Sequence, residues 1–296
     1  MRRFFLCGPM PFIFIASVSL LLFQGCARPV LQTIPASEDE ARDVISAFLQ
    51  VYQGKCSCCI DADADATVSV SGWLHNHNGK LTGLLQAMAP GYLKFIAVNP
   101  LGQPIYILVT NGSEFTSLNI LERKAYSGPV NSETFKKFSP QGFRPEFSFY
   151  WLTGRLAPGG IQVETVRRDR GGQAYWLQIH HKMTGNESLV LFNPVNSRIL
   201  RHIILDEKKE HLVDVTYDAY QPEPGNQKMS VGENVTAANV AADAALCSIP
   251  GNILVSASSG KQNIEIQLSS LLGVAAFAPE DFDVKVPPDF ENIVVK

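Results

Sequence analysis

The sequence predicts an α+β fold that is mostly β: a long antiparallel sheet, curled, with a helix packed into its concave side. Three observations predict it. Near the start, apolar residues recur at helical spacing. Beyond about residue 64, two long stretches alternate apolar and polar residues and are broken by turn residues. A short helical insertion separates them, so the order is helix, meander, helical insertion, meander, which suits a twisted sheet curling around its own core.

The chain opens with Arg2 and Arg3, then an apolar run from Phe12 to Phe23, then Gly25-Cys26. The run is shorter than the roughly 20 residues that span a bilayer, and its charge pattern is that of a secretory signal peptide. Leu22-Phe23-Gln24-Gly25-Cys26 resembles the lipobox of bacterial lipoproteins. That resemblance implies that residues 1–25 are removed and that Cys26 is the lipid-attachment residue. Ala27 stands where Asp would hold an enterobacterial lipoprotein at the inner membrane, which implies a lipid-anchored protein on the periplasmic face of the outer membrane. Residues 26–36 are expected to be an extended tether, stiffened by Pro29 and Pro35. One folded domain is expected over 37–296, with a C-terminal extension after about 222.

Ser37 and Glu40 form a capping box, in which each side chain answers the other's backbone N–H. Ala41, Val44, Ile45, Phe48, Leu49 and Tyr52 follow on one helical face, and Gly54 stops the helix. From Ala64 the period becomes two. Val68 and Val70 lie on one strand and Leu81 to Ala87 on the next, joined through Asn78-Gly79, a strong hairpin signal. Strands are expected at Tyr92–Val98, Ile105–Thr110 and Glu114–Ile120. Asn131–Phe138 and Pro145–Leu152 read as short helices. Alternation returns at Ile161–Val166, Ala174–His180, Ser188–Phe192, Arg198–Leu205 and Leu212–Tyr220. Further strands are expected near Asn252–Ser258 and Asn263–Leu268, before a Pro-rich tail.

Composition narrows the function classes. There are 25 Lys and Arg against 28 Asp and Glu, with no basic run, so nucleic acid is not an expected partner. Cys56, Cys58, Cys59 and Cys247 lack the paired C-x-x-C spacing of a zinc site and are expected to be disulfide-bonded or inert. His75, His77 and the pair His180-His181 have no acidic companions at metal spacing, so they read as solvated or core histidines. Asp61, Asp63 and Asp65 alternate, but the glycine and glutamate of a calcium loop are missing; they read as a solvated edge ahead of a strand. No G-x-S-x-G, H-E-x-x-H or P-loop pattern occurs. Neither catalysis nor a metal or cofactor is expected.

Asn99-Pro100-Leu101-Gly102 and Tyr150-Trp151-Leu152-Thr153-Gly154, in that order after a lipobox, resemble the LolA/LolB superfamily and in particular the LolB-like outer-membrane lipoprotein receptors. The similarity runs from about Ala64 to Val166. It implies an incomplete β-barrel with an α-helical lid, enclosing an apolar cavity for the acyl chains of lipoproteins or lipids. It also implies a periplasmic LolA-like carrier as partner and a role in lipoprotein reception or insertion at the outer membrane. The cavity residues it suggests are Val68, Val70, Leu85, Phe95, Ile105, Ile107 and Phe115 from the strands, with Phe48, Tyr150 and Trp151 from the helices. The ordinary alternative for each is simple core packing. LolB-like proteins also carry an exposed apolar residue on a loop that enters the membrane, and Met88 is the candidate for that place. A non-catalytic structural or assembly lipoprotein that binds a protein partner is the other function class open.

Overall fold

The computed structural model describes residues 31–53, 59–65, 80–138, 144–222, 248–257, 263–273 and 277–296. Fifteen strands form one sheet. The first meander comprises β2 (Cys59–Asp65), β3 (Thr82–Met88), β4 (Tyr92–Val98), β5 (Pro104–Thr110), β6 (Glu114–Asn119) and β7 (Lys124–Pro129). The second comprises β8 (Ile161–Asp169), β9 (Tyr175–His181), β10 (Glu187–Asn193), β11 (Arg198–Leu205) and β12 (His211–Asp218). In each, every strand pairs antiparallel with the next.

One segment expected to lie outside the domain belongs to the sheet, and two strands expected in the C-terminal extension take a central place in it. Thr33–Pro35, assigned to the tether, form β1 and pair with β8 at one edge. Between β13 (Gln221–Pro222), with its partner β14 (Ser248–Ile249), and the tail lie β15 (Asn252–Ala257) and β16 (Asn263–Gly273). These two strands join β12 to β2 and so fuse the two meanders into one sheet. At the far edge β17 (Glu291–Val294) pairs parallel with β7, a strand that alternation did not reveal. The order runs β1-β8-β9-β10-β11-β12-β15-β16-β2-β3-β4-β5-β6-β7-β17, so the sheet does not close into a barrel. The alternating aspartates are also placed differently from expectation: they lie within β2, where Asp63 is opposite Leu84 on one side and Ser270 on the other.

The helix α1 (Glu38–Gln53) begins as its sequence requires. The Ser37 backbone N–H donates to Glu40 Oε2 at 3.0 Å, and the Glu40 N–H donates to Ser37 Oγ at 3.3 Å. Its apolar face buries Val44 and Phe48. They enter one continuous core with Leu85 and Phe95 of the first meander and Leu177, Val190 and Phe192 of the second. β10 and β3 are six steps apart in the sheet, about 29 Å at roughly 4.8 Å per strand. Curling brings their inner faces around a common interior, and α1 fills part of it.

Helices α2 (Glu133–Phe138) and α3 (Ser148–Leu152) make up the insertion, and a 3-10 turn over Pro145–Phe147 leads into α3. The outer face of the first meander is covered by the chain's own tail. Phe282, in a 3-10 turn at Pro279–Phe282, is buried against Met88 and Val109, and Lys94 Nζ donates to the Asp281 carbonyl at 2.9 Å.

A lidded cavity on the concave face

The insertion bridges the two meanders: its helix α3 packs against β3 and β4, and residues 155–160 lie over β9–β11. Its fold is dictated locally. Pro145 opens the 3-10 turn, where a missing N–H is harmless. The run Phe149-Tyr150-Trp151-Leu152 then supplies three buried side chains, those of Phe149, Trp151 and Leu152. Thr153 Oγ1 donates back to the Phe149 carbonyl at 3.0 Å, and the Arg155 N–H donates to the Tyr150 carbonyl at 2.8 Å. Gly154, at φ +64°, turns the chain there; a Cβ at this position would stand 2.5 Å from Tyr220 Oη. The following loop is tied at both sides. Tyr52 of α1 donates its hydroxyl to the Gly159 carbonyl, and the Lys182 N–H donates to the Gly160 carbonyl at 2.8 Å.

Beneath this lid is a cavity of about 250 Å³. Phe147, Trp151, Leu156 and Pro158 form its roof, and His181 of β9, Ser188 of β10, and His202 and Ile204 of β11 are on the sheet side. The register explains the grouping: Ser188 is opposite Ile204, and Val190 is opposite His202. Ser188 and His202 are buried and His181 is half-buried. His181 Nε2 and Ser188 Oγ are 2.8 Å apart in a hydrogen bond. His202 is buried, and neither ring nitrogen has a hydrogen-bond partner among the described residues. Burial, with the neighbouring His181 adding to it, pushes its pKa down to about 3, so the ring is neutral at pH 7. Burial also lowers His181, helped by His180 and Arg144.

Charge at the rim is mostly positive. Arg144 and Arg155 border the cavity; Arg144 Nε donates to Glu146 Oε1 at 2.7 Å, and its guanidinium lies 4.8 Å over the Phe147 ring. The one carboxylate on the lining among the described residues, Glu187, accepts from Lys209 Nζ at 2.9 Å and Gln178 Nε2 at 3.0 Å. Those two bonds, Lys209 first, hold its pKa below the usual carboxylate range. Among the described residues, no three His, Cys, Asp or Glu side chains gather as a metal site requires.

The residues suggested from sequence are distributed unevenly. Phe48, Leu85, Phe95 and Trp151 are buried in the main core, and Ile105 and Tyr150 pack against it. Of these only Trp151 borders the cavity. Phe115 is buried against Phe135, ring centroids 4.9 Å apart. Ile107 is a correction. Its β4 partner is Ile96, not Phe95, so it lies on the opposite face and packs in the cluster under Phe282. Met88 is another. It ends β3 and is buried at 9 % exposure under Phe282, so it is no membrane-facing tip. Leu101, 83 % exposed in the β4–β5 turn, is an apolar residue that projects, as are Met183, Leu121 and Val195 elsewhere. Its turn is built by Asn99 Oδ1, which accepts from the Leu101 and Gln103 N–H groups at 2.9 and 3.0 Å. Val68, Val70 and Cys26 lie outside the described residues, as do Cys56, Cys58 and Cys247; Cys59 begins β2.

Sequence reasoning missed His181, Ser188, His202, Arg144 and Arg155 as a group. The available signal was a polar residue at an inward position on each of three successive strands, which becomes visible only once their register is known.

No protein-family model and no curated protein sequence matches the chain. Among solved structures, a DUF1329 family protein from Desulfovibrio piger superposes with a TM-score of 0.51 at 10 % identity, covering 81 % of this chain and 97 % of its own. That likeness is one of fold. A LolA superfamily protein from Nitrosomonas europaea is similar with a TM-score of 0.44 at 8 % identity, over 82 % of this chain and 97 % of its own. A putative outer membrane lipoprotein-sorting protein domain from Vibrio parahaemolyticus also gives 0.44, at 11 % identity, over 83 % and 97 %. Neither of these two is close enough to bear on function.

Proposed function

We propose that this protein is a non-catalytic lipid-binding protein of the bacterial envelope that holds an acyl chain between its insertion and the concave face of β9–β11. The observation that carries this reading is the apolar, lidded cavity under Trp151 and Leu156. Its volume lies just below the roughly 300 Å³ at which small-molecule sites begin, which suits one chain segment at a time. Six buried methylenes would contribute about 5 kcal/mol at ~0.8 kcal/mol each, enough to hold a chain while still allowing its release.

The lipobox at Cys26 and the two motifs at Asn99–Gly102 and Tyr150–Gly154 extend the proposal. In it, Cys26 is acylated and anchors the protein to the periplasmic face of the outer membrane. The cargo is the acyl part of a lipoprotein, handed over by a periplasmic LolA-like carrier and passed to the membrane. Leu101 takes the membrane-facing role first assigned to Met88. No helix among the described residues is long and apolar enough to cross a membrane, so in this reading the lipid provides the attachment.

The test is lipid analysis of protein purified from bacterial envelopes, paired with displacement of a fluorescent acyl probe. A copurified acyl species and saturable displacement are expected. No lipid and no probe binding would overturn acyl binding and leave a structural or assembly module as the reading.

A further inference from the structure

The polar end of the cavity has chemistry that simple acyl-chain binding does not use. His202 is buried to 6 % exposure, borders the cavity and has no partner for either ring nitrogen among the described residues. A buried imidazole left unpaired is costly, and such groups in native proteins call for an explanation. Beside it, His181 and Ser188 share a hydrogen bond whose direction depends on the imidazole tautomer. A neutral imidazole has one donor and one acceptor, so a head that accepts a hydrogen bond can pair with its N–H.

The surrounding charge selects among such heads. Arg144, paired with Glu146, and Arg155 border the cavity, and the one carboxylate on its lining among the described residues, Glu187, is engaged by Lys209 and Gln178. An ammonium head would meet imidazoles and guanidinium groups, and the two carboxylates nearby among the described residues, Glu146 and Glu187, are already engaged. A carboxylate would meet donors and a favourable potential, and hydrogen bonds to a charged acceptor are the stronger kind. We infer that the cavity is a site for a fatty acid or another single-chain amphiphile with an acidic head. The carboxylate lies against His202 and the His181–Ser188 pair, and the alkyl tail runs along Ile204, Leu156 and Trp151. This rests on the proposed acyl-binding role and narrows the occupant of this cavity to a free acidic amphiphile, in place of the ester- or amide-linked chains of a lipoprotein.

Calorimetric titration at pH 7 of the purified protein with decanoate, decanol and methyl decanoate separates the two ideas. Decanoate is expected to bind at least tenfold more tightly than either neutral ligand. In His202→Leu that preference is expected to fall to twofold or less while decanol still binds. Equal affinities for acid and neutral ligands in the unaltered protein would overturn the acidic-head assignment and leave acyl binding standing; this comparison needs no variant. A preference that survives in folded His202→Leu would overturn the role of His202. Absence of binding by all three would overturn the acyl-binding reading as well.

Discussion

Phe48 of α1 meets Phe192 of β10 edge to face, with ring centroids 5.4 Å apart and planes at 74°. Both rings are essentially removed from water, at 1 % and 0 % exposure. This contact fixes the N-terminal helix against the concave face of the second meander. Phe48→Ala removes the ring and leaves a void that close-packed neighbours cannot refill. A loss of about 3–5 kcal/mol is expected, read from the midpoint of urea denaturation. A change below 1 kcal/mol would mean that α1 does not fill the interior.

The turn after Trp151 depends on Gly154. At φ +64° any L side chain is strained, and an added Cβ would crowd Tyr220 Oη, whose hydroxyl donates to the Ile199 carbonyl. Gly154→Ala is expected to cost about 2 kcal/mol and to weaken acyl-probe binding, because the lid shifts away from its seat. Chemical denaturation and probe titration on the same variant check both parts; an unchanged stability contradicts the first.

The burial of His202 makes stability depend on acidity. The unfolded chain protonates this residue below its ordinary value of 6.5, whereas the folded protein keeps it neutral down to about 3. Within that window the unfolded state binds the extra proton, so stability falls as pH falls, by up to about 1.4 kcal/mol per unit. From pH 7 to 5 the protein is expected to lose about 2 kcal/mol more than His202→Leu does. His181 titrates in the same direction and is common to both proteins. Denaturation curves at the two pH values measure the difference, and parallel profiles would contradict a buried neutral imidazole.

Leu101 gives a test of the membrane-facing turn. The side chain is 83 % exposed, so Leu101→Glu is expected to change stability by no more than about 0.5 kcal/mol. Acyl-chain delivery into phospholipid vesicles is expected to fall several-fold. Vesicle transfer at wild-type rate by this variant would remove Leu101 from the proposed role.

Much of the fold was readable because each signal is local. Ser37 and Glu40 cap the first helix from three residues apart, and Asn99 with Gly102 closes a turn within its own span. Leu85 and Phe95, opposite each other across β3 and β4, follow from strict alternation. Alternation failed where both faces are covered. From Ile105 to Val109, β5 is apolar at every position, because the tail buries its outer face through Phe282. Nothing in the strand itself therefore says which way Ile107 points. β1 and β17 were missed because Thr33–Pro35 and Glu291–Val294 are too short for periodicity to register. The cavity was least legible. His181, Ser188 and His202 are spread over about 20 residues of chain, and only the β9–β10–β11 register brings them together.

Trp151 borders the cavity, so it reports directly on whether a chain enters. A saturated amphiphile brominated at its terminal carbon quenches an indole that it touches. Titrated into the purified protein, it is expected to lower tryptophan emission saturably, and in Trp151→Phe that component is expected to vanish. Emission that stays constant, or quenching of equal depth in the variant, would contradict an acyl chain lying beneath the lid.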